Sequence, residues 1–290
     1  MKKIDLHVHS LVTDGSLSPR EIARLAKAQD LSAFALTDHD SIAGLQEAAA
    51  EAEQLGIRFL PGMEMSVDYK EERLHILALG FDAEHPAFQE LYQRIRTIKE
   101  ARMYELIRGI AHKGVEISER LVEPYTYGGP IDRYAIMRYL VSLQIRSRAQ
   151  ALWDDFLTPV SAALGINYNV TAEEALPAIR KAGGITSLAH FHKQIGLGRL
   201  NREQQEQRIV RLRQLGLMGM ERWYPSYTQE DAEFAGRMII KYKLLPTGGT
   251  DFHGTNRPGI ELGTGWKHNM RVPYSFYEEI LKQSAAKICG

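Results

Sequence analysis

The chain has 290 residues, 44% hydrophobic and 25% charged, enough for one large domain or a large domain with a smaller one inserted. Lysine plus arginine equals aspartate plus glutamate at 36 each, so no overall field draws the molecule to nucleic acid or a membrane surface. The single cysteine, Cys289, excludes a disulfide framework and a thiolate metal site, and the lack of a leader-like or transmembrane-length apolar run makes a cytoplasmic location the expectation.

From residue 1 to about 95, strand and helix patterns alternate. Residues 4–8 read as a strand, and Ser18, with Pro19 behind it, caps a helix through residue 28. Strands at 33–37 and 57–61 flank an alanine-rich helix at 42–55, and a polar connection leads to a fourth strand at 74–80. From 88 to 165 helical periodicity takes over, at 88–111, 134–143 and 149–157, with a crowd of arginines that includes Arg96, Arg102, Arg133 and Arg138. Alternation then resumes: helix 171–182, strand 185–189, helix 202–215, strand 219–223, helix 229–242, strand 244–248. About six or seven strand–helix units predict an α/β barrel over residues 1–95 and 166–290, with residues 96–165 as a mostly helical inserted cap at its mouth.

Nine residues of the types that bind first-row divalent metals recur along this pattern, mostly where a strand should end. They are His7, His9, Asp14, His39, Glu64, His75, His190, Asp251 and His253. A His-X-His pair on a strand sets both rings on one face, and the C-terminal mouth of a barrel is where functional side chains gather. His75 breaks the rule by sitting near the start of its strand. Singly, each has a plainer reading: His75 as a core histidine, Asp14 before Gly15 as a turn, Asp38 and Asp40 as helix caps. Taken together they predict a metal centre. His85, His112 and His268 read as structural or solvated.

Asp5-Leu-His-Val-His-Ser10, Thr13-Asp-Gly15, Thr37-Asp-His-Asp40, Pro61-Gly-Met-Glu64, Leu188-Ala-His190 and Thr250-Asp-Phe-His-Gly254 resemble, in order, the motifs of the polymerase-and-histidinol-phosphatase (PHP) phosphoesterases. The resemblance implies a distorted (β/α)7 barrel and three divalent ions, manganese first, with iron or zinc as alternatives. It assigns His7, His9, Glu64 and Asp251 to one ion, Glu64, His75 and His190 to a second, and Asp14, His39 and His253 to the third. Asp14, where some relatives have histidine, and the insertion after the fourth strand match the subgroup acting on nucleotides and small sugar phosphates.

The implied reaction is phosphoester hydrolysis, in which a hydroxide bridging two ions attacks phosphorus in line. Glu64 and Asp251 are expected at the centre of that chemistry, with His192 as a candidate proton donor to the leaving group. Arg102, Arg133 and Lys193 are the candidate contacts to substrate phosphates. Expected substrates are small phosphorylated molecules such as nucleotide bisphosphates. A cyclic sugar phosphate, histidinol phosphate or the 5′ end of a short RNA are the alternatives. A metal-dependent amidohydrolase and a non-catalytic metal-binding module are the remaining rivals. Three positions depart from the subgroup's pattern: Ala135 and Tyr227 stand where histidine is usual, and Lys193 where arginine is.

Overall fold

A computed structural model describes residues 2–164 and 169–284, so Cys289 and the expected boundary between residues 165 and 166 lie outside the described residues. Strands β1 (Lys3–Asp5), β2 (Leu31–Leu36), β3 (Arg58–Tyr69), β4 (Glu72–Leu79), β6 (Ile185–Leu188), β7 (Gly219–Trp223) and β8 (Leu245–Gly248) lie side by side in that order. The two-residue β5 (Val170–Thr171) pairs only with β3. Backbone bonds from Leu6 N to Gly248 O (3.2 Å), Asp251 N to His7 O (2.8 Å) and His9 N to Phe252 O (2.9 Å) join β8 back to β1. The seven strands therefore close into a barrel. The short β9 (Ile260–Glu261) and β10 (Gly265–Trp266) pair with each other, and β11 (Val272–Pro273) pairs with β1.

Runs such as Phe34-Ala-Leu36 and Ile76 through Leu79 are apolar on both faces because one side fills the barrel and the other meets helices. Inside, Leu6, Leu60, Leu77 and Ile185 are fully buried. Outside lie α1 (Pro19–Ala28), α2 (Leu45–Leu55), α8 (Ala172–Lys181), α9 (Arg202–Leu215), α10 (Gln229–Tyr242) and α11 (Tyr274–Gln283). Four of these begin with reciprocal capping boxes, Ser18/Glu21, Thr171/Glu174, Asn201/Gln204 and Thr228/Asp231, which fix where each helix leaves its loop. No described helix is long and apolar enough to cross a membrane.

One expectation fails instructively. The third strand does not end at residue 61: it continues to Tyr69 and turns back into β4 as a hairpin, antiparallel from Gly62↔Leu79 to Tyr69↔Glu72. Glu64 is thus inside a strand, beyond the last parallel pair with β2 at Leu36↔Pro61. Strand β4 is antiparallel to β6 as well, so its beginning lies at the mouth where the other strands finish. That reversal explains His75: near the start of a reversed strand, it reaches the same rim as residues at the ends of the others.

Between β4 and β5 stand α3 (Pro86–Ala111), α4 (Glu119–Val122), α5 (Arg133–Ser142), α6 (Ala149–Leu152), a π-helical turn (Trp153–Leu157) and α7 (Thr158–Ala163). Helix α3 changes partners along its length. Phe88, Leu91 and Ile95 pack into the core around the barrel, whereas Met103, Leu106, Ile107 and Ile110 join a separate cluster with Ile136, Leu140, Phe156 and Val160.

Candidate metal centre

The nine predicted residues converge on the barrel mouth. Just past β1, alternation aims His7 and His9 the same way, and the bridge between Val8 and Phe252 ties this segment to the one carrying Asp251 and His253. Asp14 sits in a tight turn where Thr13 N and Gly15 N both donate to Ser10 O. A Cβ on Gly15 would fall 2.4 Å from the His9 carbonyl oxygen, so that turn requires glycine. Past β6 and β8, His190 (φ 26°) and Asp251 (φ 53°) adopt left-handed backbone, a conformation that costs non-glycine residues about 1–3 kcal/mol and clusters at working sites.

Glu64, fully buried, lies at the middle. Its Oε1 is 3.2 Å from His7 Nε2 and 2.9 Å from both His75 Nδ1 and His190 Nε2. Its Oε2 is 3.2 Å from His9 Nε2 and 3.1 Å from His39 Nδ1. Asp251 Oδ1 is 3.1 Å from His9 Nε2 and 3.4 Å from His7 Nε2. Asp14 Oδ2 is 3.0 Å from His253 Nε2 and 3.3 Å from His39 Nε2.

Three sets of donor atoms are close enough to share an ion: His7, His9, Glu64 and Asp251; His39, Glu64 and His75; and His9, Asp14, His39 and His253. The first is the set expected from sequence. The other two differ in detail: His39 also reaches the Glu64–His75 set, His9 also reaches Asp14, and His190 meets the centre through Glu64 Oε1.

The donors fit a cation better than they fit one another. His7 Nε2, both ring nitrogens of His9 and Glu64 Oε2 are buried without a hydrogen-bond partner, although each lies about 3 Å from an oppositely polar atom. Buried polar atoms left unpaired cost about 1–3 kcal/mol each, so such a concentration at one point marks a place built for something else to bind.

Electrostatics agree. Burial pushes Glu64 upward, but His75, His7 and His39 outweigh it and hold the carboxyl well below its usual range. Asp251 and Asp14 follow the same pattern against their histidines. Burial drives His75 down to about 4 despite Glu64, keeping a neutral, ligand-competent imidazole.

Beneath the donors lies a second layer of carboxylates, among them Asp38, which braces the Asp14 turn where a helix cap was the plainer expectation. Glu221, fully buried on β7, accepts from His7 Nδ1 (2.9 Å) and from His190 N (2.6 Å). Asp38 takes Ser10 N, Ser10 Oγ and Thr13 Oγ1; Asp5 takes Thr250 Oγ1, Thr250 N and Gly263 N. Asp251 Oδ2 receives Tyr224 Oη (2.6 Å), Arg257 Nη1 (2.5 Å) and Lys193 Nζ (3.3 Å). A carboxylate in the apolar strand Gly219–Trp223 was the available signal for Glu221. Arg257, four residues past His253 in a loop, carried none.

The predicted substrate contacts divide. Arg102 and Arg133 line a cavity of about 210 Å³ between the donors and helices α3 and α5, together with His39, His75, Arg96 and Lys99. Lys193 is instead beside Asp251 and over the Tyr224 ring.

His192, the candidate proton donor, belongs to none of the three donor sets. Its Nε2 pairs with Ser226 Oγ (2.9 Å), its ring packs on Tyr224 and Tyr227, and it opens onto a hollow with Asn201 and Asp231. Burial, aided by His190 and Lys193 against Asp231, lowers it to about 4. At the two divergent positions, Ala135 is buried in the helical cluster and Tyr227 donates to Glu221 O (3.1 Å).

The PHP domain profile matches residues 5–155. Over most of both chains the sequence is similar to a 5′-3′ exoribonuclease of Haemophilus influenzae, 31% identical over 87% of this chain and 90% of the relative. It is also similar to a 3′,5′-nucleoside bisphosphate phosphatase of Chromobacterium violaceum (30%, 91% of each). A phosphoribosyl 1,2-cyclic phosphate 1,2-diphosphodiesterase of Eggerthella lenta is 30% identical over 86% of this chain and 94% of its own. Among solved structures, a Chromobacterium violaceum protein described as an amidohydrolase, with bound sulfate and no metal, superposes with TM-score 0.78 (29% identical, 97% and 96% covered). A Bifidobacterium adolescentis chain shares the fold at TM-score 0.82 and 24% identity, with 98% and 97% covered.

Barrel, donor cluster and profile together define a metal-dependent phosphoesterase. The chain belongs to the PHP family.

Proposed function

We propose that the protein hydrolyses small phosphate esters that carry a second anionic group, nucleoside bisphosphates first among them. In this reading three divalent cations, manganese ahead of iron or zinc, are held by the nine residues, with Glu64 shared between sets. The observation that carries the substrate reading is a single cavity lined on one part by His39 and His75 and on another by Arg96, Lys99, Arg102 and Arg133. Lys99 is committed to Asp40 at 2.8 Å, whereas Arg96 and Arg133 reach solvent at the opening. An adjoining hollow of about 130 Å³, with Met103, Tyr104, Ile107 and Pro130 in its walls, continues the cavity and supports a substrate with an apolar, base-like end.

Bound divalent cations would supply Lewis acidity toward phosphate oxygens and make water a stronger nucleophile near neutral pH. The chain's own residues do the rest. Glu64 offers both carboxylate oxygens to histidines of different donor sets, and Glu221 fixes the orientation of His7. Lys193 and Arg257, both against Asp251, set positive charge at the edge of the first donor set, where the scissile phosphate would be received. Arg102 and Arg133 would hold the distant phosphate. Residues 96–165 act as the cap carrying that second grip, and balanced charge with one cysteine in the whole sequence favours a cytoplasmic setting.

Phosphate release with added manganese tests the reading on nucleoside 3′,5′-bisphosphates, nucleoside monophosphates, cyclic ribose phosphate, histidinol phosphate and short 5′-phosphorylated RNA. The bisphosphate is expected to give the highest kcat/KM. A higher value on the cyclic diester or on RNA would move the protein to those alternatives. Undiminished hydrolysis in chelator, with no metal found by elemental analysis, would end the metal reading altogether.

A further inference from the structure

The segment between β1 and α1 that delivers Asp14 is gripped from outside the barrel. The turn itself supplies one side of its support, through Ser10 and Thr13 on Asp38. The other side comes from the insertion. Arg138 of α5 donates from Nη1 to Thr13 O (3.1 Å) while its Nε holds Tyr125 O (2.8 Å), so one guanidinium bridges the helical region and the Asp14 turn. Tyr134, one helical turn earlier on α5, stands near enough to Asp14 that burial and the negative charge of that carboxylate together oppose ionisation of its hydroxyl. Gly129 lies flat against the same stretch: a Cβ there would stand 2.6 Å from Val12 O and 3.0 Å from a Val12 methyl. Three residues of one inserted element thus meet three consecutive residues, Val12 to Asp14. Among the nine donors Asp14 is singular in this respect: the barrel's own layer, Glu221 and Asp5, serves His7, His190 and the Thr250 segment instead.

We propose that Arg138, backed by Tyr134 and Gly129, is a positioning element for Asp14. The seated insertion thereby completes the donor set His9, Asp14, His39 and His253 and sets how tightly a cation binds there. This rests on the reading of that set as a cation site. The physical argument is preorganisation. A carboxylate on a short turn must be held within a fraction of an ångström to share an ion with three imidazoles, and partners behind a ligand commonly govern affinity about 10–100-fold. It follows that any displacement of the insertion, as when substrate enters or product leaves the cavity it lines, is coupled directly to this set. It reaches the set of His7, His9, Glu64 and Asp251 only at second hand, through the shared His9 and through Lys99 on Asp40.

The test is manganese binding to the metal-stripped full-length protein, followed by calorimetry and elemental analysis, with no substrate present. Arg138→Ala and, independently, Gly129→Ala should each weaken one class of sites about tenfold or more and leave the tighter class unchanged, and Arg138→Lys should recover part of the loss. Arg146→Ala serves as control. It breaks the Arg146–Asp155 pair within the insertion (2.6 Å) without touching the Asp14 turn, so it should lower Tm while leaving binding intact. If Arg146→Ala weakens the same sites, the effect is general loosening and the proposal fails. It also fails if folded Arg138→Ala and Gly129→Ala bind manganese as the parent does. Asp14→Ala separates the two levels: full cation content in that variant would overturn the cation site itself, whereas loss in Asp14→Ala with no change in the other two would overturn only the positioning role.

Discussion

The rim of the barrel and the inserted helices hold their polar groups by opposite means. At the rim six of the nine donors are buried and three half-buried, and several are fixed from behind: His7 by Glu221, His190 by a backbone bond to the same carboxylate, the Thr250 segment by Asp5. In the insertion the core is apolar and self-contained, built from Leu106, Ile110, Ile136, Leu140 and Phe156, and its arginines lie partly or largely in solvent. A buried ligand set tolerates little change without losing the ion, whereas exposed arginines over a separate core can vary at small cost to stability. On the proposed reading, reaction type and substrate choice reside in regions with different tolerance, which would let one barrel serve relatives named for quite different phosphoesters.

The sharpest way to break this contrast is at the rim. Asp251→Ala should abolish phosphate release and remove bound manganese, since Asp251 touches both His7 and His9. Retained metal and measurable turnover would mean the rim is no more constrained than the insertion. Glu221→Gln should come next. An amide cannot accept from His7 Nδ1 and His190 N at once, so manganese affinity should fall about 10–100-fold with the fold intact by circular dichroism.

Arg133→Ala carries the comparison into the insertion. Losing one charge-assisted contact costs about 1.5–3 kcal/mol, roughly 10- to 150-fold in kcat/KM, and the loss should appear with a nucleoside bisphosphate and largely spare an aryl phosphate. Equal small changes on both substrates would show that Arg133 does not read the second phosphate.

The smallest expected effect is at Asp132, which caps α5 and lines the cavity. Burial, only partly offset by its bond to Ala135 N and by Arg138, raises its pKa from 3.8 to about 7. A raised carboxyl pKa means the folded state holds a proton that the unfolded state has released. Its contribution to stability is present below the unfolded value and is lost as pH rises through about 7. The same ionisation sets negative charge beside an anionic substrate, so KM for a bisphosphate should climb a few-fold across that range, and Asp132→Asn should flatten the climb. An unchanged KM profile in Asp132→Asn would assign the pH dependence elsewhere.

How much of this could be read from sequence follows from the same contrast. Ligand chemistry leaves residue-level marks: imidazoles and carboxylates at strand ends are conspicuous against apolar strands, and all nine meet at one rim. The hairpin of β3 and β4 escaped because Met65 and Val67 alternate with polar residues in a stretch that resembled a polar connection. Strand direction, moreover, is set by pairing across the barrel and leaves no local trace. His75 looked misplaced for that reason alone. His192 lies two residues past His190 and both rings pack on Tyr224, but His190 turns its Nε2 to Glu64 whereas His192 turns its own to Ser226. Arg257 meets Asp251 by the folding-back of a six-residue loop, and Tyr224 meets it from the end of the neighbouring strand β7, contacts that no residue spacing announces.

The reversed strand has a further result for the shape of the molecule. Because β4 descends, the chain leaves it at the closed floor of the barrel, and α3 must travel upward where an ordinary barrel helix travels down. Its 26 residues make a rod about 39 Å long, more than a barrel wall requires, so it overshoots the rim. That surplus is a mast: rooted below by Phe88, Leu91 and Ile95, it carries Lys99 and Arg102 above the opening at a height fixed by helical rise. Whatever is rigged to its upper half can be enlarged or exchanged while the footing stays in place.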